Sequence, residues 1–144
     1  MNLRRATVCD AAALASLEQT QKRAAGWGKG GFETELAQPC ALIWCAQTEK
    51  ELIGFVAARF AADTAEILNV AVRPDYMRRG IARALLSKTL ADLKQRGIVQ
   101  VSLEVGQDNR AACGLYQQAE FAVLNMRKDF YGPGKNAWIM GKNL

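Results

Sequence analysis

Hydrophobic and polar positions along the chain predict six strands that can be placed in the sequence. Most of these segments are rich in β-branched and aromatic residues, and polar or glycine-containing turns separate them. The six segments, in chain order, are ALIWCAQ (41–47), LIGFVAARF (52–60), EILNVAV (66–72), VQVSLEV (99–105), FAVLNMR (121–127) and AWIMGKN (137–143). The first two predict a hairpin around TEKE, and the last two predict a closing hairpin around DFYGPGK.

Helical spacing predicts helices between these strands. Asp10 is placed to begin a helix that runs toward Arg23, and Asp108 or Asn109 can cap a short helix that contains Tyr116. A longer helix after position 80 is predicted by apolar residues at helical spacing and ends at the glycine Gly97. A strand, this helix and the next strand form a right-handed parallel crossover. The pattern predicts one mixed α/β domain over residues 1–144, with about seven strands and four helices.

The segment AAGWGKGGF (24–32) carries four glycines in nine residues. Such a composition is typical of a loop, here with Trp27 and Phe32 as aromatic anchors. We expect a mobile loop that closes over a substrate.

Composition narrows the classes of protein to consider. Of the 144 residues, 50% are hydrophobic and 23% are charged, which is typical of a folded domain. No apolar run approaches the roughly 18 residues of a membrane span, and the first ten residues lack the apolar core of a signal peptide. We expect a cytoplasmic protein with no membrane association. The net charge of +5 favours an anionic partner.

The absence of histidine excludes several kinds of chemistry. Ser-His-Asp and Cys-His catalysis both need an imidazole, so any general base must be a carboxylate, tyrosine, lysine, thiol or water. The four cysteines share no C-x-x-C spacing. We therefore expect no metal site and reduced thiols.

The segment NVAVRPDYMRRGIARALL (69–86) joins a strand to a helix through a basic turn. The first N–H groups of a helix are unpaired and bind phosphate readily, and Gly80 lets a ligand approach the backbone closely. Arg78, Arg79 and Arg83 add positive charge around Gly80. A diphosphate is a good match, although a solvated basic turn is the alternative. Neither the G-x-x-x-x-G-K-[ST] phosphate loop nor the G-x-G-x-x-G dinucleotide motif is present.

Three motifs in this order resemble the GNAT acetyltransferases, most closely the bacterial ribosomal-protein-alanine N-acetyltransferases. They are NVAVRPDYMRRGIARALL, VSLEV and DNRAACGLYQQAEF, and the similarity extends over about residues 41–140. The resemblance implies a mostly antiparallel sheet with a central parallel pair splayed to admit acetyl-coenzyme A. It implies a primary amine as acceptor. The positions that match the family's cofactor-binding residues are Val70, Ala71, Val72, Arg78, Arg79, Gly80, Ile81, Ala82, Arg83 and Asn109.

The resemblance also implies the catalytic residues. Glu104 matches the general base, although by position alone it could be an ordinary polar-face carboxylate. Tyr116 matches the general acid that protonates the leaving thiolate, and the alternative is a core aromatic residue. Tyr131 matches a tyrosine that shapes the acceptor pocket, or it is a surface loop residue. An amine attacks the thioester directly in this chemistry, so Cys113 is expected only to pack.

Four positions depart from the family pattern. Met77 replaces the usual Gln or Arg at the start of the pyrophosphate turn, and Glu120 replaces a glycine at a helix end. Lys135 and Asn136 stand where the subgroup tends to have an acidic pair. A pocket for a basic peptide would prefer carboxylates there, so these two positions favour an acceptor other than a basic peptide.

Two other functions remain open. A GNAT enzyme acting on a small amine, such as an amino acid, polyamine or antibiotic, is the nearest alternative. The other is a basic nucleic-acid-binding module that uses Arg4 and Arg5 together with the arginines of the turn, but the chain has no aromatic and basic RNA-binding platform.

Overall fold

The computed structural model describes residues 1–22 and 25–144, which form a seven-stranded mixed sheet between helices. The strands are β1 (Asn2–Arg5), β2 (Ala41–Gln47), β3 (Leu52–Ala61), β4 (Thr64–Val72), β5 (Gln100–Gly106), β6 (Ala122–Arg127) and β7 (Ala137–Asn143). The helices are α1 (Ala11–Gln19), α2 (Gly28–Leu36), α3 (Ile81–Gln95) and α4 (Arg110–Gln118). Short 3₁₀ turns lie at Val8–Asp10 and Pro74–Tyr76. None of these helices combines the length and hydrophobicity needed to cross a bilayer.

The strand order β1-β2-β3-β4-β5-β7-β6 confirms the predicted sheet. β4 and β5 pair in parallel through the α3 crossover, and the other neighbouring strands pair antiparallel. Both predicted hairpins are present. β1 was not predicted, because its four residues contain a single apolar side chain, Leu3. It forms against the edge of β2, where Arg4 Nε also donates to Gln47 Oε1 at 2.7 Å.

Two hydrophobic clusters lie on opposite faces of the sheet. Alternate residues of a strand point to opposite faces, and in β3 Val56 belongs to the larger cluster whereas Phe55 belongs to the smaller one. The larger cluster includes Leu85 of α3 and Tyr116 of α4. The smaller one includes Leu14 of α1 and Phe32 of α2. The α3 and α4 helices therefore cover one face, and α1 and α2 cover part of the other.

The prediction of a loop over residues 24–32 is wrong for residues 28–32, because Gly28–Leu36 is the helix α2, whereas residues 25–27 form neither helix nor strand. Phe32 is fully buried and packs edge-on against Phe55, with ring centroids 5.4 Å apart. Gly31 lies under Trp27, where an added Cβ would come within 2.9 Å of the Trp27 Cβ, so close packing explains this glycine. The predicted ends of the first helix at Arg23 and of the loop at Ala24 lie outside the described residues.

Predicted helix ends are only partly confirmed. Gly97 follows α3 with φ +86°, and Asn109 Oδ1 caps α4 by accepting from the Ala112 N–H at 3.3 Å. Glu120 follows α4 with φ +69°, the left-handed conformation that commonly ends a helix and usually favours glycine. Asp10 precedes α1 without capping it, because its carboxylate accepts instead from the Thr7 N–H at 2.7 Å and from Arg4.

Candidate active site

A gap between β4 and β5 opens halfway along the parallel pair. The pairing of the two strands runs from Thr64 and Gln100 to Ile67 and Leu103 and stops there. At the same point β4 has a bulge, because Ala58 pairs with Ile67 and Ala57 with Asn69. The extra residue bends the strand and ends its pairing on one side. The rest of β4 therefore has an edge that β5 does not cover.

Val70, Ala71 and Val72 lie on this open part of β4. Their strand still pairs with β3 on its other side, so an extended ligand could add to the free edge as a further strand would. Gln21 reaches the same segment by donating from Nε2 to the Val72 carbonyl at 2.7 Å. Sequence reasoning missed Gln21, since nothing in the sequence indicated this contact over fifty-one positions.

The N-terminus of α3 follows directly after β4 and its turn. Arg78 and Gly80 adopt left-handed backbone conformations, with φ +64° and +78°. No side chain among the described residues caps α3, and its first backbone hydrogen bond joins the Ala84 N–H to the Gly80 carbonyl at 3.0 Å. The N–H groups of Ile81 and Ala82 precede that bond and can serve an anion.

Three exposed arginines surround this helix end. The Arg79 guanidinium lies 5.1 Å from the centre of the Tyr76 ring, and Arg83 donates a hydrogen bond to the Gln118 side chain of α4. Arg78 is exposed in the turn itself. An added Cβ at Gly80 would meet nothing within 4 Å, so the space beside the turn is open to a ligand.

Glu104 lies on β5, one residue beyond the last pair that β5 makes with β4. Leu103 and Val105 on either side of it point into the larger cluster, so Glu104 points to the opposite face. Its Oε1 accepts a hydrogen bond from Arg127 Nη1 at 2.7 Å. Arg127 was not among the predicted site residues, because its distance from Glu104 in the sequence hides the contact.

Tyr131 covers the end of β5 beside Glu104. Its ring packs against Gly106, where an added Cβ would lie 3.5 Å from Tyr131 Cε2 in ordinary van der Waals contact. Burial and the negative charges of Glu104 and Asp108 raise the pKa of the Tyr131 phenol. The two predicted residues Glu104 and Tyr131 therefore share one side of the gap.

Tyr116 lies on the other face of the sheet. Its ring is buried in the larger cluster and packs edge-on against Phe121, with centroids 5.9 Å apart. Burial raises the pKa of Tyr116 to about 12, with smaller contributions from Cys113 and Tyr131. Tyr116 is therefore protonated at physiological pH. The Cys113 thiol has its pKa raised by burial as well, which makes it a poor nucleophile.

Comparison with known proteins identifies the family. Residues 11–121 match the acetyltransferase (GNAT) family model. The chain belongs to the GNAT acetyltransferases. It is 31% identical over 105 residues to the ribosomal protein bS18-alanine N-acetyltransferase of Escherichia coli K12, covering 73% of this chain and 70% of that protein. The enzyme of the same name from Haemophilus ducreyi is 36% identical over 123 residues, covering 82% of this chain and 83% of that one.

The fold agrees with this assignment. The crystal structure of the ribosomal-protein-S18-alanine N-acetyltransferase from Escherichia coli superposes with a TM-score of 0.87 at 27% identity, covering 99% of this chain and 92% of that one. This chain is thus an N-acetyltransferase of the GNAT type, and the acetyl donor of the family is acetyl-coenzyme A.

The residues at the gap fit this donor. The free edge of β4 suits the amide-bearing pantetheine arm, and the uncapped start of α3 with its arginines suits the diphosphate. Within residues 1–22 and 25–144, no three His, Cys, Asp or Glu side chains are grouped so that they could hold a metal ion.

Two shallow cavities lie on the face that Glu104 shares with α2. One, of about 310 Å³, is bordered by Glu66, Leu68 and Ser102, and the other, of about 510 Å³, is bordered by Trp27 and Gly31. Leu68, the bulged residue of β4, and Arg59 border both.

Proposed function

We propose that this acetyltransferase modifies the N-terminal α-amino group of a protein, with an N-terminal alanine of a ribosomal protein as the first candidate. The relatives named above carry that acceptor in their names. The observation that carries the proposal is the position of Glu104, at the gap where β4 and β5 part and on the sheet face opposite Tyr116. A protein of this function would work in the cytoplasm, where ribosomal proteins are made.

The residues proposed to hold the donor lie on β4, in the turn before α3, at the start of α3 and before α4. They are Val70, Ala71, Val72, Arg78, Arg79, Gly80, Ile81, Ala82, Arg83 and Asn109. Acetyl-coenzyme A supplies an activated acetyl thioester. The backbone of β4 positions the pantetheine arm, and the N–H groups that begin α3 hold the diphosphate. Positioning of this kind brings the thioester to the gap beside Glu104.

Glu104 is proposed as the general base. An ammonium group has no lone pair with which to attack a carbonyl carbon, so the acceptor must lose a proton to Glu104, directly or through a water. The amine nitrogen then bonds to the acetyl carbon, the bond from that carbon to sulfur breaks, and the second proton of the nitrogen passes to water, so that an amide and the coenzyme A thiolate are formed. Tyr116 is proposed to donate its phenolic proton toward the departing sulfur, and Tyr131 is proposed to border the acceptor.

A small amine is the second candidate acceptor. Lys135 and Asn136 favour it, because neither provides the negative charge that a basic peptide would prefer. The Asn136 side chain also makes a hydrogen bond within the loop, because its Oδ1 accepts from the Asp129 N–H at 2.9 Å.

Nucleic-acid binding has less support. Arg4, one of the arginines that such a function would use, is held by Asp10 at 2.8 Å and by Gln47.

The test is acetyl transfer followed by mass spectrometry. The purified protein receives acetyl-coenzyme A with peptides that begin with free Ala, Ser or Met, with lysine side chains, and with small amines. We expect acetylation at the peptide N-terminus, and Glu104→Gln should lower kcat by roughly 100-fold or more while the affinity for coenzyme A changes little.

Glu49→Gln is the matched control, since Glu49 is an exposed carboxylate in the β2–β3 turn. It should keep full activity. Acetylation of small amines alone would move the chain to the second candidate, and full activity of Glu104→Gln would remove Glu104 from the mechanism.

A further inference from the structure

The end of β6 and the loop that joins it to β7 are rich in basic residues. We call residues 127–136 the basic tip, which contains Arg127, Lys128 and Lys135 and a single carboxylate, Asp129. That carboxylate is engaged within the loop, because Asp129 Oδ1 accepts from the Gly134 N–H at 2.8 Å. The charge that the basic tip presents to a ligand is therefore positive.

Arg127 brings this charge to the proposed base. Its guanidinium lies 4.3 Å from the centre of the Phe130 ring and donates to Glu104 at 2.7 Å. The Arg127 side chain is 50% exposed and that of Glu104 is 27% exposed. Ion pairs this open to solvent contribute little to stability, so a charged ligand can separate them.

An acceptor amine must approach the same carboxylate that Arg127 occupies. If the acceptor carries only positive charge, it meets Arg127 as a like charge beside Glu104. If it also carries a carboxylate, that group can pair with the planar guanidinium while the amine takes the place of Arg127 at Glu104. Arg127 is then paired with the carboxylate of the acceptor and Glu104 with its amine, so both side chains remain paired when the acceptor binds.

We propose that the basic tip selects acceptors that carry a carboxylate next to the reacting amine, and that Arg127 is the residue that binds this carboxylate. The inference rests on the proposed function and defines its acceptor more narrowly. The carboxylate has two possible sources, an acidic side chain at the second residue of a peptide or the α-carboxylate of a free amino acid. In both cases Arg127 is a specificity residue, and Glu104 keeps its role as base.

The first experiment measures kcat/KM for N-terminal Ala peptides that differ only in the second residue, which is Glu, Gln or Lys. Free alanine and alanine amide form a second pair that tests the α-carboxylate. We expect Glu above Gln above Lys, with about tenfold between the extremes, because exposed charges act over a short range at moderate salt. The difference should lie mainly in KM and should shrink when the salt concentration is raised.

Variants assign the effect to the basic tip. Arg127→Gln should abolish the ratio of kcat/KM between the Glu and Gln peptides, whatever its effect on the absolute rate, and Arg127→Lys should keep part of that ratio. Lys50→Gln is the control, because Lys50 is an equally charged, exposed residue in the distant β2–β3 turn. It should leave the preference unchanged.

The outcomes separate the two proposals. Equal rates on the three peptides together with equal rates on alanine and its amide, a preference for the Lys peptide, or an unchanged preference in Arg127→Gln would each overturn the carboxylate inference and leave the N-terminal acetylation proposal standing. Preference for alanine over its amide, without any preference among the peptides, would assign the carboxylate to a free amino acid. Failure to acetylate any amine would overturn both proposals.

Discussion

Tyr116 is proposed to donate a proton and Glu104 to accept one. The Tyr116 side chain is buried in the larger cluster, whereas that of Glu104 is partly exposed. The Tyr116 phenol has a pKa of about 12, whereas an ordinary thiol has a pKa of roughly 8.5. Complete transfer of the phenolic proton to a thiolate is therefore unfavourable, so the contribution proposed for Tyr116 is mainly a hydrogen bond to the departing sulfur. Glu104 should consequently account for more of the rate than Tyr116.

The buried phenol also makes stability depend on pH. Because the pKa of Tyr116 is about 12 in the folded protein and near 10 in the unfolded chain, the folded state retains a proton that the unfolded state loses. The stabilisation is fully present below about pH 10 and disappears as the pH rises toward 12. Its total size is about 3 kcal/mol.

We predict that Tyr116→Phe reduces this alkaline loss of stability. Urea unfolding at pH 8, 10 and 11 should show the wild-type protein losing stability relative to the variant as the pH rises. Parallel losses in the two proteins would contradict the assignment of the titrating group to Tyr116.

At the scale of elements, α2 depends on a carboxylate from α1. Glu18 is 3% exposed and accepts from the N–H groups of Trp27 and Gly28, both at 3.1 Å, and from Asn69 Nδ2 at 2.8 Å. Glu18 thus accepts from N–H groups at the start of α2, where the N-cap residue makes no side-chain hydrogen bond. It also links α1 and α2 to β4. The three donors explain how a carboxylate can be buried here.

We predict that Glu18→Gln lowers the free energy of unfolding by roughly 2–3 kcal/mol, since the buried network loses its negative charge and one of its two acceptor oxygens becomes an NH2 donor that faces other donors. Hydrogen exchange should become faster at the amides of Trp27 and Gly28. Glu33→Gln, an exposed change on α2, is the control and should stay within about 0.5 kcal/mol of wild type. A loss of the same size in both variants would show that the carboxylate has no such role.

At the scale of the whole molecule, the proposed donor site lies in the gap of the splayed sheet, between elements that are far apart in the sequence. A ligand that binds only the folded state stabilises it by about 2.7 kcal/mol at a concentration 100 times its Kd. For a chain of this size, that energy corresponds to a rise in Tm of roughly 8 °C.

We predict that coenzyme A produces such a rise and that Gly80→Asp loses most of it. The substitution places a side chain at φ +78° and a negative charge beside the proposed diphosphate site. The strain itself costs about 1 kcal/mol, so the variant should still fold. An equal rise in Tm for wild type and variant would place the diphosphate elsewhere.

The sequence by itself determined the family, six of the seven strands, the parallel crossover and the ends of α3 and α4. These features depend on local patterns, such as alternation in β5, glycine after α3 and Asn109 before α4, which act within a few residues. The strand β1 and the helix α2 were missed, because β1 depends on the edge of β2 and α2 depends on Glu18 of α1. Only the tertiary structure decided that Arg127 contacts Glu104, since the two residues lie on different strands and are twenty-three positions apart in the sequence. Long-range contacts of this kind are set by the packing of the whole sheet, and they determine the charge that an acceptor meets at the proposed base.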